Sequence, residues 1–531
     1  MTFSTVPQTS LVAASLALTA CFYPVNVGES SESSSDVATP GSTTDPTTST
    51  SPTTAGSTTG GSEEDAGTTT PDDGVHSTLP LDPDVCITPS AECDDACRAN
   101  CGDPGEVCEG QVLATALIAE GSANEVNVSD LLITPEGDIV VAGNYTGAPD
   151  LGLGPLPAPE QGPGAMFVVR HDPDGRPIGQ ASFDYDAWPR LLRMRNGKLF
   201  TVSGNTTADT RIHEFTASPT LEPRDIIIGG TYAVASSTAR DEIYFVGSQC
   251  DFGGGLMIGR YDGVEATVVY CTSEPGPDEI GNMVGVAVLP SGDLALAGNT
   301  TQDITDLGID YPDGEVAQAA FLVTIEPLFV PTSVTTIKHS MLLAEPGSPV
   351  SDGVQLGSLL WSGNYLIAGI QASGNITTGF NEPFVAAYSS DLLAAFTPEL
   401  EGVGVLSTGV WGVYETAADC AGNVLASVVL RVDDDAPPFG LATTKEHALA
   451  VVKIRSDAQT PLDPTPIWSV VDAEAGTVAE DRSSAPAIAT TADRILIAGD
   501  YRGGAVQLPS MPPLPALAAP QSAAYLLELT P

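Results

Sequence analysis

The sequence has few basic residues: 19 Lys and Arg stand against 68 Asp and Glu, which gives a formal net charge of −49. Such a surface repels phosphate backbones and anionic lipids, so we expect no nucleic-acid partner. No run of 18 apolar residues is present, which argues against a membrane-spanning helix. The five histidines form no zinc-protease motif, and neither a serine-hydrolase elbow nor a phosphate-binding loop occurs. The usual sequence signals of hydrolases and zinc proteases are therefore missing.

A short strand-turn-strand phrase returns seven times after residue 125. It reads PEGDIVVAGN at 135–144 and PSGDLALAGN at 290–299, and related phrases are centred on positions 204, 247, 369, 428 and 499. The intervals between copies are uneven, so the repeated unit is a blade with connecting loops of variable length. With 54 Gly, 43 Pro and short apolar runs, the core is predicted to be all-β.

Each repeat is predicted to contain four antiparallel strands. In the first repeat these are Asp130–Thr134, Asp138–Gly143, Ala165–His171 and Pro177–Phe183. The third strand recurs in later repeats, and in the fifth we place it at Pro383–Tyr388. Seven such units from 111 to 531 predict a seven-bladed β-propeller.

The last blade lacks a fourth strand, because the sequence stops just after the predicted third strand Ala523–Leu529. A spare apolar segment, Gln111–Ala119, precedes the first blade. We predict that this N-terminal strand pairs with Ala523–Leu529 and closes the ring. Closure of this kind removes open strand edges that would otherwise promote aggregation.

The N-terminal region predicts export and membrane attachment. Residues 1–20 end in a short apolar run, and Leu18-Thr19-Ala20-Cys21 resembles the bacterial lipobox, so Cys21 is the predicted lipidation site. A plain cleaved signal peptide is the alternative. Residues 21–85 form a predicted disordered linker, since 23 of the 47 residues from 28 to 74 are Ser or Thr. The linker has too little apolar surface to fold alone. As a flexible coil it would hold a folded head about 40 Å from an outer membrane.

The remaining eight cysteines suit four disulfides in an exported chain. Five lie in a disulfide-rich segment, 86–110, and three lie in the propeller; they are Cys86, Cys93, Cys97, Cys101, Cys108, Cys250, Cys271 and Cys420. We predict the pairs Cys250–Cys271 and Cys108–Cys420, because strand alternation places the members of each pair on the same rim. A zinc or iron-sulfur site is the alternative for the segment, although its spacing lacks C-x2-C pairs.

Two aspartate groups are candidates for calcium, because neighbouring carboxylates on a loop supply hard oxygen ligands. They are Asp172 with Asp174, and Asp433, Asp434 and Asp435. Asp-x-Asp-Gly is also a common turn sequence, and we favour the turn. No other cofactor is predicted.

Apolar loops follow the second strand of blades one and seven, at Leu151–Pro157 and Leu508–Pro515. Long loops on a rigid ring are common binding surfaces. They can equally cover the lower rim of the ring. The four tryptophans lie in or beside strands and are predicted to be core residues.

The repeat phrases AGNYTG at 142–147, DFGGG at 251–255 and AMFVVRHD at 165–172 resemble the seven-bladed repeat of myxobacterial surface lipoproteins. Such proteins carry a lipobox, a Ser/Thr-rich stalk and a repeat head. The resemblance implies a surface-exposed protein anchored in the outer membrane, and it implies no reaction.

The leading hypothesis is a non-catalytic, monomeric lipoprotein whose propeller head binds a protein or glycan. The alternatives are a propeller enzyme, either a hydrolase or a quinone-dependent dehydrogenase acting in the central channel, and a structural spacer. An enzyme is expected to bring ionisable side chains from several blades to the channel with shifted pKa values. A scaffold is expected to place small and hydroxyl-bearing residues there.

Overall fold

The fold is known from a computed structural model of the chain. The structure describes residues 112–120, 125–160, 164–184, 188–194, 198–205, 208–215, 231–237, 241–247, 256–271, 283–301, 303–310, 319–327, 336–343, 354–372, 375–376, 384–385, 390–407, 413–419, 421–431, 447–471, 486–491, 494–502, 514 and 522–529. The predicted signal peptide, the linker and the disulfide-rich segment lie outside these residues.

The described residues form 29 strands. Those up to the third blade are β1 (Val112–Glu120), β2 (Val126–Ile133), β3 (Ile139–Tyr145), β4 (Ala165–His171), β5 (Pro177–Phe183), β6 (Trp188–Arg193), β7 (Leu199–Asn205), β8 (Ala208–Phe215), β9 (Thr231–Ser237), β10 (Glu242–Gly247), β11 (Met257–Tyr261) and β12 (Ala266–Cys271). Those of the fourth and fifth blades are β13 (Met283–Val288), β14 (Leu294–Thr300), β15 (Ala319–Glu326), β16 (Thr336–Leu343), β17 (Val354–Trp361), β18 (Leu366–Ala372), β19 (Asn375–Ile376), β20 (Phe384–Val385), β21 (Ser390–Phe396) and β22 (Gly402–Ser407). The rest are β23 (Val413–Ala418), β24 (Val424–Arg431), β25 (His447–Ile454), β26 (Pro466–Val471), β27 (Ala487–Thr490), β28 (Ile495–Arg502) and β29 (Ser522–Leu529).

These strands form the seven antiparallel blades of a β-propeller. In chain order the blades are β2–β5, β6–β8, β9–β12, β13–β16, β17–β22, β23–β26 and β27–β29 with β1; the second blade has three described strands. The only helix in the described part of the chain is a single 3-10 turn, Thr305–Leu307, and no helix there is long and apolar enough to cross a membrane. The predicted all-β, seven-bladed fold is confirmed.

The first strand of each blade lies at the centre of the ring. Each of these strands packs against the first strands of both neighbouring blades, in the closed order β2, β6, β9, β13, β17, β23, β27 and back to β2. The hydrophobic core lies between blades, where apolar side chains of adjacent sheets meet. The seven inner strands therefore surround the central channel.

The N-terminal strand closes the ring as predicted. β1 pairs antiparallel with β29, with Leu117 opposite Tyr525, and it supplies the fourth strand of blade seven. Side chains also join blade seven to blade one: Ser522 Oγ accepts the N–H of Val126 at 2.7 Å. The guanidinium of Arg494 donates to the carbonyl oxygen of Pro173 at 3.1 Å.

The repeated glycine of the phrase is required by the strand that follows it. Gly143 and Gly298 lie directly opposite Phe167 and Phe321 on the third strands of their blades. A Cβ added at Gly143 would lie 2.8 Å from the Phe167 ring, and one at Gly298 would lie 2.6 Å from the Phe321 ring. The glycine therefore leaves room for an aromatic ring inside the blade.

The prediction for the third strand of blade five is wrong. The strand is β21, and Phe384–Val385 instead form a small hairpin with Asn375–Ile376. β21 is apolar on both faces: Leu392 packs in the core toward blade four, and Leu393 packs toward blade six. Burial on both sides of the sheet explains why this later segment takes the central position.

Candidate functional site

The first pair of calcium candidates forms a tight turn between β4 and β5. Asp172 Oδ1 accepts the N–H of Arg176 at 2.8 Å, and the Asp172 carbonyl oxygen accepts the N–H of Gly175 at 2.9 Å. Asp174 is exposed and lies 3.7 Å from the Arg176 guanidinium. This is turn geometry, with Gly175 at a φ of +81°.

The other calcium candidates, Asp433, Asp434 and Asp435, lie outside the described residues. Within the described ranges no group of three or more His, Cys, Asp or Glu side chains is placed to hold a metal ion. Calcium binding therefore stays a prediction.

Only one of the nine cysteines falls in the described part of the chain. Cys271 ends β12 and is disulfide-bonded, and the cysteine that it bonds lies outside the described residues. The pairs Cys250–Cys271 and Cys108–Cys420 and the lipidation of Cys21 stay predictions. The remaining cysteines of the 86–110 segment also lie outside the described residues.

Described leucines of the two apolar loops contribute to the cores of their blades. Leu151 and Leu156 are buried in the core of blade one, and Leu514 is buried in that of blade seven. Among the described residues of these two loops, Leu153 is the exposed leucine, at 46%. The predicted core position of Trp361 is confirmed, since it is 4% exposed.

In six of the seven blades, an ion pair joins two strands of the blade near the turn between the first and second strands. In each, a charged residue at this turn or at the start of the second strand pairs with an opposite charge on the third strand, or on the fourth strand in blade four. The pairs are Asp138–Arg170, Lys198–Glu214, Glu242–Arg260, Asp293–Lys338, Asp419–Lys453 and Arg494–Glu528. Each of these charges is paired within its own blade, and Arg494 also donates to backbone carbonyl oxygens of blade one.

A separate charged cluster spans the central channel. Arg190 on β6 and Glu415 on β23 belong to blades two and six, which are not neighbours in the ring. Their side chains meet, with Arg190 Nη1 donating to Glu415 Oε2 at 3.3 Å. Because blades one and seven lie between them along the ring, the contact crosses the space that the inner strands enclose. Asp130 on β2 of blade one completes the cluster.

Asp130 also ties blade one to blade two. Its Oδ2 accepts the N–H of Leu191 on β6 at 2.8 Å, and its Oδ1 accepts the N–H of Leu131 at 2.8 Å. The residue is fully buried. Both carboxylate oxygens are therefore engaged by backbone amides.

The protonation of Asp130 is poised near neutral pH. Burial raises the pKa of its carboxyl from 3.8 to about 7, with Glu415 adding to the rise, while Arg190 and the two amide hydrogen bonds oppose it. The neighbouring Glu415 carboxylate raises the pKa of Arg190, which stays protonated. The cluster therefore has one positive charge, one carboxylate paired with it and one carboxylate that titrates.

The inner strands combine the two patterns expected for an enzyme and for a scaffold. Asp130 pairs with Ala142 and Glu415 pairs with Ser427, the residues directly before Gly143 and Val428 at the centres of the repeat phrases. The corresponding positions in blades three, four and seven are small: Ala233, Gly285 and Ala487. Charged side chains from three blades therefore meet in the channel, and blades three, four and seven contribute small uncharged residues at the positions that correspond to Asp130 and Glu415.

Sequence reasoning did not single out this cluster. Asp130 was predicted only as the start of a strand, and Arg190 and Glu415 are 225 residues apart. The available signal was the alignment of the repeats, which shows Asp130 and Glu415 in the first strand where the copies in blades three, four and seven have Ala or Gly.

Comparisons with known proteins identify no family. No family model matches the sequence, and no curated protein matches it. Among solved structures, a protein of unknown function from Dyadobacter fermentans has 12% identity and a TM-score of 0.39, covering 78% of this chain and 98% of its own. The phage phi92 endosialidase has 10% identity and a TM-score of 0.37, covering 78% of this chain and 69% of its own. The class defined by the blades is the seven-bladed β-propeller.

Proposed function

We propose that the chain is a lipid-anchored, non-catalytic propeller that binds a protein or glycan partner at the cell surface. The supporting observation is the chemical state of the channel cluster. Both oxygens of Asp130 accept backbone hydrogen bonds, and Glu415 is paired with Arg190. What remains accessible is a guanidinium, which is suited to recognition and not to nucleophilic attack or proton transfer.

The anchor rests on the lipobox-like sequence ending at Cys21 and on the Ser/Thr-rich linker that follows it. We propose an outer-membrane, surface-exposed monomer without nucleic-acid contacts, since its acidic charge is repelled by phosphate. Palmitate labelling of the wild type and of Cys21→Ser tests the anchor. Label in the wild type alone is expected, and equal label in both would end the lipoprotein proposal.

Binding is tested with the full chain carrying Cys21→Ser, so that no lipid is attached. The protein is applied to an array of acidic and neutral glycans and to intact cells of the producing strain. Saturable binding to a defined glycan, or to cells in a manner removed by surface proteolysis, is expected. Absence of saturable binding in both formats would contradict the binding function and leave the structural spacer.

A propeller enzyme, either a hydrolase or a quinone-dependent dehydrogenase, is the second candidate. It is favoured by one observation: a buried carboxyl with a pKa of about 7 adjoins a guanidinium and a second carboxylate. A general acid or base works best with a pKa near the working pH. Turnover of a glycoside, ester or quinone-coupled alcohol that Asp130→Asn reduces by 100-fold or more would favour the enzyme. Equal turnover by both proteins would exclude Asp130 from catalysis.

A further inference from the structure

Arg190 is the accessible member of the channel cluster. Its side chain is 39% exposed, whereas that of Glu415 is 11% exposed and Asp130 is fully buried. Of the three side chains, that of Arg190 is therefore the most open to the channel.

The guanidinium has unused hydrogen-bonding capacity. It carries five N–H donors in a planar fork, and one of them, on Nη1, is engaged by Glu415 at 3.3 Å. No second acceptor for Arg190 occurs among the residues that the structure describes. The remaining donors match the two oxygens of a carboxylate, which arginine binds in a bidentate manner.

The charges of the cluster determine how an anion can be accepted. With Asp130 ionised, Arg190 already has two neighbouring carboxylates, and a third negative charge would be repelled. If Asp130 takes up a proton, the ligand carboxylate replaces the negative charge of Asp130, and the net charge of the cluster is unchanged. Because the pKa of Asp130 is about 7, this proton uptake costs little near neutral pH.

We infer that the central channel binds a ligand through one carboxylate group held by Arg190, and that Asp130 takes up a proton when the ligand binds. The inference rests on the proposed binding function and identifies the chemical class of its ligand. An acidic sugar or an acidic side chain of a protein presents the required group.

Among the residues that the structure describes, the charged side chains that act on Asp130 are Arg190 on β6 and Glu415 on β23. The strands packed against β2 carry further titratable residues, which are Tyr145 on β3, Arg193 on β6, Asp500, Tyr501 and Arg502 on β28, and Tyr525 and Glu528 on β29. Of these, Asp500 Oδ1 accepts the N–H of Val128, two residues before Asp130, at 3.4 Å.

The test uses glucuronate as the probe, with glucose and inorganic phosphate as comparisons, and saturation-transfer NMR on the full chain with Cys21→Ser. Glucuronate is expected to bind and glucose is not. Its affinity is expected to be about tenfold weaker at pH 8 than at pH 6, because one proton is taken up by a group with a pKa near 7. Binding of phosphate in preference to glucuronate would overturn the carboxylate class.

Substitutions distinguish a loss of ligand binding at the site from a general effect on the fold. Arg190→Gln is expected to lose glucuronate binding, and Arg190→Lys to retain a weaker form of it. The matched control is Arg170→Gln, which removes a guanidinium from the ion pair with Asp138 and should leave binding unchanged. Asp130→Asn should bind glucuronate with an affinity that no longer changes between pH 6 and pH 8.

Two results would overturn the inference. One is equal glucuronate binding by Arg190→Gln and by the protein that retains Arg190. The other is no glucuronate binding at pH 6 at concentrations up to 10-fold above a millimolar dissociation constant. If the chain binds a glycan or cells while Arg190→Gln binds equally well, the binding function stands and the channel site falls. If neither protein binds anything on arrays or cells, the binding function itself fails.

Discussion

Replacing Asp130 with Asn should change how stability depends on pH. The folded-state pKa of Asp130 is raised from 3.8 to about 7, so the folded protein binds this proton more tightly than the unfolded chain does. Stability from this group is therefore greatest below pH 4 and is lost as the pH rises to about 7. The total loss is about 4 kcal/mol, from roughly 3 pKa units at 1.36 kcal/mol each.

Asn at this position has no charge to bury, so the stability of the variant does not fall in this way as the pH rises. Between pH 5 and pH 8 the stability of Asp130→Asn relative to the wild type should rise by about 3 kcal/mol. Part of the absolute gain is offset at every pH, because an amide nitrogen cannot accept the second backbone hydrogen bond, which costs about 1 kcal/mol. The change with pH, and not the value at one pH, is the diagnostic quantity.

The assay is urea unfolding followed by tryptophan fluorescence at pH 5, 6, 7 and 8. The matched control is Asp174→Asn, which removes one carboxylate from an exposed turn. Its stability relative to the wild type should stay constant over this range. A difference between Asp130→Asn and the wild type that also stays constant would refute a buried, titrating Asp130.

Three further predictions concern the fold. Deleting 109–119 removes β1 and exposes the edge of the last blade, so the truncated chain should aggregate; a monomer with an unchanged Tm in size-exclusion chromatography and calorimetry would refute ring closure. Gly298→Ala should cost about 1–3 kcal/mol in urea unfolding, because the new methyl group would meet the Phe321 ring; unchanged stability would show that this contact is loose. Asp419→Ala should cost about 3–5 kcal/mol, because it removes the carboxylate that pairs with the buried Lys453 ammonium at 3.0 Å. Lys453→Met should cost less in the same assay, and the reverse order would contradict this assignment.

The blades were predictable because the residues that define each blade's turn and buried strand are close together in the sequence. The phrase around Gly143 and Gly298 encodes a turn, a buried strand and a glycine opposite an aromatic ring, and each copy repeats it within a few residues. Ring closure was predictable by counting strands, since one blade lacked a fourth strand and one spare segment preceded the first blade. Both predictions depend on short-range pattern and on the antiparallel pairing of neighbours.

The third strand of blade five was not predictable in the same way. Pro383–Tyr388 and Ser390–Phe396 are both apolar and adjacent, so local pattern does not choose between them. The choice depends on packing against blades four and six, where Leu392 and Leu393 are buried on opposite faces of β21. Such contacts join residues that are distant in sequence, so local pattern does not encode them.

The channel cluster was unpredictable for a related reason. Arg190 and Glu415 are distant in sequence and lie on blades that are not neighbours, so their contact depends on the diameter of the closed ring. Asp130 resembles an ordinary strand residue in the sequence, and its raised pKa arises from burial between two blades. The three residues of the cluster can be read from the sequence, but the sequence does not show that they lie close together.

The most direct test of the account is a double-mutant cycle on the ion pair across the channel. Arg190→Gln, Glu415→Gln and the double variant are compared with the wild type by urea unfolding at pH 8. Because the pair is partly exposed, we predict a coupling energy of about 1 kcal/mol. Side chains in contact are coupled, whereas the effects of substitutions at distant sites add. Strictly additive effects of the two substitutions would contradict the arrangement in which blades two and six face each other across the channel.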